Sequence, residues 1–279
     1  MSISIAHLGP SGTYSEQAAV AYASMFLHPI QEETILCPYP SIAKTLKAIS
    51  LGQVDLAVVP VENSIEGSVA ITLDMLWQLD NLRIKLALVL PIAHSLLSNA
   101  QIATIETIYS HPQALAQCQG WLEQHLPTVR LIATNSTTEA LQKLDQESKA
   151  GAISSPHAAQ LYDVPILASS INDYPDNCTR FWVLSSSVQP TYGSHTSLAF
   201  STKANVPGAL FKPLQVFAQR NINLSRLESR PSKRSLGDYL FFIDLEGDAT
   251  SLAVQSAIYE LICYTETLKI FGSYDVLLL

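Results

Sequence analysis

Charge is scarce in this chain of 279 residues: 14% of positions are Asp, Glu, Lys or Arg, where a soluble domain ordinarily carries about a quarter. Such low charge beside 48% hydrophobic residues excludes a disordered chain and predicts a large buried fraction. Long apolar runs are missing too. The longest, Leu86 to Ala93, falls short of the roughly 20 residues a helix needs to cross a bilayer, so the mean hydropathy of +0.19 reports a core and not a membrane span. The opening Met1-Ser2-Ile3-Ser4-Ile5-Ala6 lacks the basic and long apolar regions of a secretory signal, and a cytoplasmic protein is the expectation. Cysteine is sparse. Cys37, Cys118, Cys178 and Cys263 show no CxxC or Cys/His spacing, which predicts buried thiols, no disulfide and no metal site.

Positive charge is what the first two-thirds lacks most. Residues 1–188 hold 8 Lys and Arg against 16 Asp and Glu, whereas residues 189–279 hold 8 of each. An acidic surface without a basic stripe argues against nucleic acid as a partner. Only Arg83, Arg130 and Arg180 precede residue 188, so few side chains there can hold an anion.

What is present is an alternation of short Val/Ile-rich runs with helical patterns, which predicts an α/β fold. Expected strands are Ile3–Leu8, Thr34–Pro38, Asp55–Val61, Lys85–Pro91, Thr107–Ser110, Val129–Thr134, Gly151–Ser154, Pro165–Ala168 and Arg180–Ser185. Between them fall helices over Tyr14–Phe26, Ser41–Ser50, Ser68–Leu79, Pro112–His125, Thr137–Glu147 and Pro156–Tyr162. Thr13-x-x-Glu16 and Ser136-x-x-Glu139 are capping boxes that mark two helix starts. The small, polar stretch Ser185–Ser194 reads as a linker. Beyond it come strand Thr196–Thr202, helix Pro207–Arg220, strands Ile222–Glu228 and Tyr239–Leu245, helix Ser251–Thr267 and strand Ile270–Val276. That βαββαβ order is ferredoxin-like. Pro213 falls inside the expected first helix and should kink it.

Several corners combine turn residues with polar groups. Gly9-Pro10-Ser11-Gly12-Thr13-Tyr14-Ser15 joins a strand to a capped helix whose free N–H groups attract anions, or is an ordinary capped turn. Val59-Pro60-Val61-Glu62-Asn63-Ser64-Ile65-Glu66-Gly67 leaves a buried strand at the end where α/β sheets bind ligands, or is a hydrophilic loop. Ser110-His111-Pro112-Gln113-Ala114-Leu115-Ala116-Gln117-Cys118 is a third corner, where a lone His is more often structural. Asn177-Cys178-Thr179-Arg180-Phe181 sets a hydroxyl, a guanidinium and a ring side by side. Arg180 there is either a carboxylate fork or a structural ion pair with Asp173 or Asp176. No hydrolytic triad or HExxH spacing occurs.

These motifs, in this order and followed by Val206-Pro207-Gly208-Ala209-Leu210 and Glu228-Ser229-Arg230-Pro231, resemble the prephenate dehydratases that carry a C-terminal ACT regulatory domain. The resemblance spans nearly the whole chain. It implies a two-lobed, periplasmic-binding-protein-like catalytic domain over 1–188, with lobes of about 1–78 plus 168–188 and about 80–165, and an ACT domain over 195–279. The implied reaction turns prephenate into phenylpyruvate with loss of carbon dioxide and the ring hydroxyl, without a cofactor. Thr179 is then the proton donor, Arg180 a carboxylate anchor, Phe181 a ring contact, and Glu62 and Gln113 further active-site groups. Thr13, Tyr14, Ser15, Asn63 and Ser64 would bind substrate. Phenylalanine is the implied effector, held at a subunit interface by Gly208, Ala209, Leu210, Asn223, Leu224, Glu228, Ser229, Arg230 and Pro231, in a homodimer or homotetramer. Asp163 stands where the family usually has glycine near Tyr162. Arogenate dehydratase, acting on the amino analogue, is the rival enzyme; a solute-binding or amino-acid-sensing protein is the non-enzymatic alternative, since fold does not fix function.

Overall fold

The computed structural model describes residues 2–186 and 191–279. The expected boundary at 188 and the middle of the expected linker lie outside these described residues. The chain begins β1 (Ser2–Leu8), α1 (Tyr14–Tyr22), β2 (Glu33–Tyr39), α2 (Ile42–Ser50), β3 (Leu56–Asn63), the two-residue β4 (Gly67–Ser68), α3 (Ala70–Gln78) and β5 (Arg83–Pro91). A second lobe follows: β6 (Ser95–Leu97), β7 (Thr107–Ser110), α4 (Pro112–Ala116), α5 (Gln119–His125), β8 (Arg130–Ala133), α6 (Leu141–Leu144), β9 (Ala150–Ser154), α7 (Pro156–Leu161) and β10 (Ile166–Ala168). The chain returns to the first lobe through β11 (Cys178–Ser185) and then forms β12 (His195–Thr202), α8 (Phe211–Ala218), β13 (Leu224–Pro231), β14 (Tyr239–Glu246), α9 (Leu252–Leu261) and β15 (Thr265–Leu278).

The strands make two sheets, one ordered β10-β6-β9-β7-β8 in the second lobe, the other β13-β14-β12-β15-β5-β11-β3-β1-β2 with β4 beside β3. The larger sheet runs without interruption from the first lobe into the C-terminal βαββαβ unit, because β15 is long enough to serve both. Its first part pairs antiparallel with β12, and Asp275–Leu278 pair parallel with Leu86–Val89 of β5. Shortly before the second pairing begins, Gly272 stands at φ +120°, where an added Cβ would collide with Thr191 Oγ1.

Burial follows from this continuity. Helix α1 packs Ala18, Ala19 and Tyr22 on one face of the first lobe's sheet. On the other face Leu46, Ile49, Leu73, Leu76 and Trp182 share one core with Ala199, Leu240, Phe242, Phe271 and Tyr274 of the C-terminal unit. That unit's opposite face is covered by Val216 and Phe217 of α8 and Val254, Ala257 and Leu261 of α9. At about 1.5–3 kcal/mol for each fully buried large apolar side chain, the shared core welds the C-terminal sheet to the first lobe.

Several sequence expectations shift. The expected helix Pro112–His125 breaks into α4 and α5 at Gln117–Cys118, and Thr137–Glu147 shortens to Leu141–Leu144 after a run of turns. Helix α8 starts at Phe211, four residues after Pro207, which puts Pro213 in its first turn. There an amide has no helical acceptor to lose, so no kink is required. Strand β13 runs to Pro231, and β15 begins at Thr265 in what looked like helix.

Candidate active site

Sequence places polar groups at the C-terminal ends of parallel strands, and the two lobes turn those ends toward each other. β1 pairs parallel with β2 and β3, and β7 pairs parallel with β8 and β9. Between them lies a cleft of about 920 Å³, the position at which open α/β sheets bind ligands. From the first lobe Thr13, Tyr14, Ser15, Tyr39, Asn63, Glu66, Thr179 and Phe181 line it, and from the second His111, Gln113, Gln117, Asn135, Ser136 and Thr137. His94, on the crossing segment, lines it too.

One wall is the start of α1. Thr13 Oγ1 accepts from Glu16 N at 3.3 Å, and the Glu16 carboxylate accepts from Gly12 N. That capping box leaves the first-turn N–H groups of Tyr14 and Ser15 without helical acceptors, at the positive end of the helix. Gly12 sits at φ +88°, where an added Cβ would come within 2.9 Å of Thr138 Cγ2 and 3.2 Å of the Tyr162 ring in the other lobe. Tyr162 Oη donates to Ser11 O at 3.1 Å and Ser155 Oγ to Gly12 O at 3.2 Å, so this turn is also an interlobe contact.

The centre of the cleft is the register pair Thr179↔Asn63 between β11 and β3. Asn63 Oδ1 accepts from the backbone N–H groups of Ile65 and Glu66, both at 3.0 Å, which fixes which way the amide faces. Its Nδ2 then donates to Thr179 Oγ1 at 2.9 Å, to Asn177 Oδ1 at 2.8 Å and to Cys178 O at 3.2 Å. Thr179, 8% exposed, therefore receives a hydrogen bond and keeps its own proton to give. Among the described residues its hydroxyl has no other hydrogen-bond partner.

The network continues to the second lobe. Asn177 Nδ2 donates to Gln117 Oε1 at 3.0 Å, and Gln117 Nε2 donates to Glu66 Oε1 at 3.2 Å across the cleft. Gln117 Oε1 also pairs with His94 Nε2 at 3.0 Å. Because that oxygen is an acceptor, His94 carries its proton on Nε2, and Nδ1 is left bare, buried and without a partner among the described residues. Burial holds the His94 imidazole below its ordinary titration range, against the opposing effect of the hydrogen bond it donates to Gln117. His111 is lowered by burial as well, with Glu66 opposing. The Tyr14 and Cys118 acids move the other way: burial raises both, Cys118 to about 12. Tyr14 Oη donates to Ala93 O at 2.7 Å and its ring stands edge-on to His94 at 6.0 Å.

No Lys or Arg is among the described residues that line this cleft, whereas Glu66 and Glu139 are. This corrects the reading of Arg180 as a carboxylate fork. Side chains alternate along β11, so Thr179 and Phe181 face the cleft and Arg180 faces the C-terminal unit. There its Nη1 lies 3.3 Å from Asp244 Oδ2 and 3.8 Å from Glu62 Oε2. The acidic partners are thus Asp244 and Glu62, not Asp173 or Asp176. Glu62 is turned out of the cleft with Arg180 by their direct pairing. Ser64 lies outside the lining as well and buttresses it, with Oγ accepting from Cys178 N at 3.0 Å and donating to Asn177 Oδ1 at 3.3 Å.

In the C-terminal unit, Gly208, Ala209 and Leu210 line a second cavity of about 510 Å³ with Asn205, Ser232, Arg234 and Glu266. Asn223, Leu224, Glu228, Ser229, Arg230 and Pro231 do not line it. Asn223 Nδ2 donates to Glu246 Oε1 at 2.8 Å, while Glu228 and Arg230 turn toward the first lobe.

Sequence reasoning passed over His94, Asn177, Gln117 and the Asn135–Thr137 turn. Asn177 and Gln117 belong to the motifs already singled out, and strict alternation away from Thr179 was the signal against Arg180. His94 carried no signal, because its importance comes from Gln117, 23 residues away in the chain.

Comparison with known proteins agrees with the architecture. Residues 5–189 match the prephenate dehydratase family and residues 196–263 the ACT domain. A bifunctional chorismate mutase/prephenate dehydratase of Aquifex aeolicus is 41% identical over 99% of this chain and 75% of its own length. A prephenate dehydratase of Lactococcus lactis is 37% identical, covering 98% and 97%. The crystal structure of the Arthrobacter aurescens prephenate dehydratase in complex with L-Phe superposes with a TM-score of 0.88 at 32% identity, covering 98% of this chain and 90% of that one.

Proposed function

The chain belongs to the prephenate dehydratase family, and from that premise we propose that it converts prephenate to phenylpyruvate in phenylalanine biosynthesis, under feedback by phenylalanine through its ACT domain. The observation that carries the catalytic reading is the Asn63 Nδ2 to Thr179 Oγ1 hydrogen bond of 2.9 Å. The electron pair of the ring C–CO2 bond moves into the ring as carbon dioxide leaves, and the ring expels its hydroxyl at the opposite carbon. Thr179 gives that oxygen its proton, so water departs, and solvent restores the proton to Thr179. Aromatisation supplies the driving force, so a weak but positioned acid suffices.

With no Lys or Arg among the described lining residues, the dianion is held by neutral donors: the free amides of Tyr14 and Ser15 at the start of α1, the Ser15 hydroxyl and the Gln113 amide, while Thr13, whose hydroxyl donates to Leu8 O at 2.8 Å, shapes the turn that presents them. Phe181 supplies an apolar floor for the ring beside Thr179. A dry, cation-free surround favours neutral carbon dioxide over the carboxylate it comes from. The cavity walled by Gly208–Leu210 is the effector site, completed by a second subunit in a dimer or tetramer. No described helix is long and apolar enough to cross a membrane, which suits a cytoplasmic enzyme.

The test is turnover by purified full-length protein, with phenylpyruvate measured from prephenate and phenylalanine from arogenate at equal concentration. Faster turnover of prephenate, inhibited by phenylalanine, is the expected result. Preference for arogenate moves the assignment to the amino analogue, and no turnover of either removes it.

A further inference from the structure

The strand carrying Glu228-Ser229-Arg230-Pro231 has two ends with different duties. Its continuation, Ser232 and Arg234, walls the cavity of the C-terminal unit. Four residues before Ser232, about 13 Å along an extended chain, Glu228 Oε2 accepts a hydrogen bond from Ser68 Oγ at 3.1 Å. Alternate residues of β13 share one face, and Arg226, Glu228 and Arg230 all use it toward the first lobe. The Arg226 guanidinium lies over the Trp182 ring at 5.8 Å, and Arg230 Nε and Nη2 donate to Asp74 at 3.1 and 3.3 Å.

Ser68 is one step from the chemistry. In the β3–β4 ladder it pairs with Glu62, and Gly67 pairs with Asn63, the residue that donates to Thr179. The Asn63 amide is itself fixed by the backbone of Ile65 and Glu66 in the same loop. Whatever displaces Ser68 therefore shifts the loop that aims Asn63.

We propose that Glu228 is a positioning residue: through Ser68 it holds the 63–69 loop in the register that aims Asn63 at Thr179, and it is the link by which occupancy of the C-terminal cavity reaches the cleft. This second half rests on the phenylalanine reading above, whereas the first half does not. Glu228 lines neither the cleft nor the C-terminal cavity.

The test uses the full-length protein with Glu228→Ala and Glu228→Gln, since Gln keeps an acceptor for Ser68. Without effector, Glu228→Ala is expected to lower kcat for prephenate about fivefold with KM within about twofold, and Glu228→Gln to restore most of it, the fivefold being the loss of one hydrogen bond of about 1 kcal/mol. Calorimetry should give Glu228→Ala a phenylalanine Kd within about threefold of the parent, with most of the inhibition gone. Hydrogen exchange in residues 62–69 should accelerate in Glu228→Ala and not in Glu228→Gln, a readout that needs neither substrate nor effector. Parental kcat with unchanged exchange in Glu228→Ala overturns the positioning role, as does a Gln variant that behaves like Ala. Loss of phenylalanine binding in Glu228→Ala, or full inhibition retained, overturns the coupling role. A parent that binds no phenylalanine would sink the effector reading while leaving the exchange and kcat comparison to decide the positioning role.

Discussion

The two faces of the β3–β11 strand pair divide the work of this protein by kind of side chain. Toward the cleft stand Asn63, Thr179 and Phe181, an amide, a hydroxyl and a ring; toward the C-terminal unit stand Glu62, Arg180 and Trp182. Charge on the back face is nearly dry: Asp244, 1% exposed, accepts from Arg180 and Arg226 at 3.3 and 3.2 Å and from Ser197. A β-bulge separates the rows, since Arg180 pairs with Glu62 and Phe181 with Pro60, skipping Val61. Bulges re-aim side chains beside active sites. Charges on one face join the two units and neutral polar groups line the cleft on the other, an arrangement that, on the proposed roles, suits a reaction that must release neutral carbon dioxide.

The comparison breaks most visibly at Thr179. Thr179→Val should lower kcat for prephenate by about 10²–10⁴, the usual worth of a general acid, while Thr179→Ser stays within about tenfold; near-parental turnover by the Val variant would remove the proton-donor role. On the back face, Asp244→Ala takes from Arg180 and Arg226 the carboxylate they share, leaving Arg180 with Glu62 at 3.8 Å. Losing one member of a buried pair costs about 3–5 kcal/mol, which urea denaturation would read, and a loss below about 1 kcal/mol would show that the network contributes little.

Asn63→Leu should cost about 10–100-fold in kcat, one to two decades for an oriented donor, with KM little changed; a rise in KM alone would make Asn63 a binding group. Acid pH sharpens the contrast without mutation. Burial lowers the pKa of His7, His94 and His111 from the ordinary 6.5. Below 6.5 the unfolded chain takes up protons that the folded one refuses, so stability falls as pH drops from 6.5 toward the folded pKa values. His94→Gln should flatten that slope of Tm against pH, and an unaltered slope would assign it elsewhere. The smallest effect is expected at Arg180→Lys: KM for prephenate within about twofold and about 1 kcal/mol of stability. A true carboxylate fork would raise KM tenfold or more, since charge-assisted bonds are worth about 1.5–3 kcal/mol.

Most elements were legible because their signals are local. The capping boxes at Thr13 and Ser136 start a helix and a helical turn where spacing says they should, with Glu16 N and Glu139 N donating back at 3.3 and 3.0 Å. Hydrophobic alternation found most strands to within a few residues, but not the short β4 and β6. It missed the break at Gln117, because the polar network that turns Gln117 into the cleft has Glu66 and Asn177 at its ends, 51 and 60 residues away. It also missed the reach of β15, whose last residues are strand only because β5 offers them an edge. Arg180 was misjudged for a related reason: scarcity of arginine says that one is needed somewhere, not which face of its strand it occupies.

By itself the sequence determined the α/β class, the βαββαβ unit, the four motif-bearing corners and the family, all of which rest on periodicity, caps and short spacings read within one element. Only the tertiary structure decided that no Lys or Arg among the described residues lines the cleft, that Asn63 receives its orientation from Ile65 and Glu66 and passes a hydrogen bond to Thr179, and that Glu228 and Arg230 face the first lobe. Those facts depend on which face of a strand meets which neighbour. Side-chain period 2 makes the choice of face binary at every strand position, and the packing of one sheet shared by two units settles it.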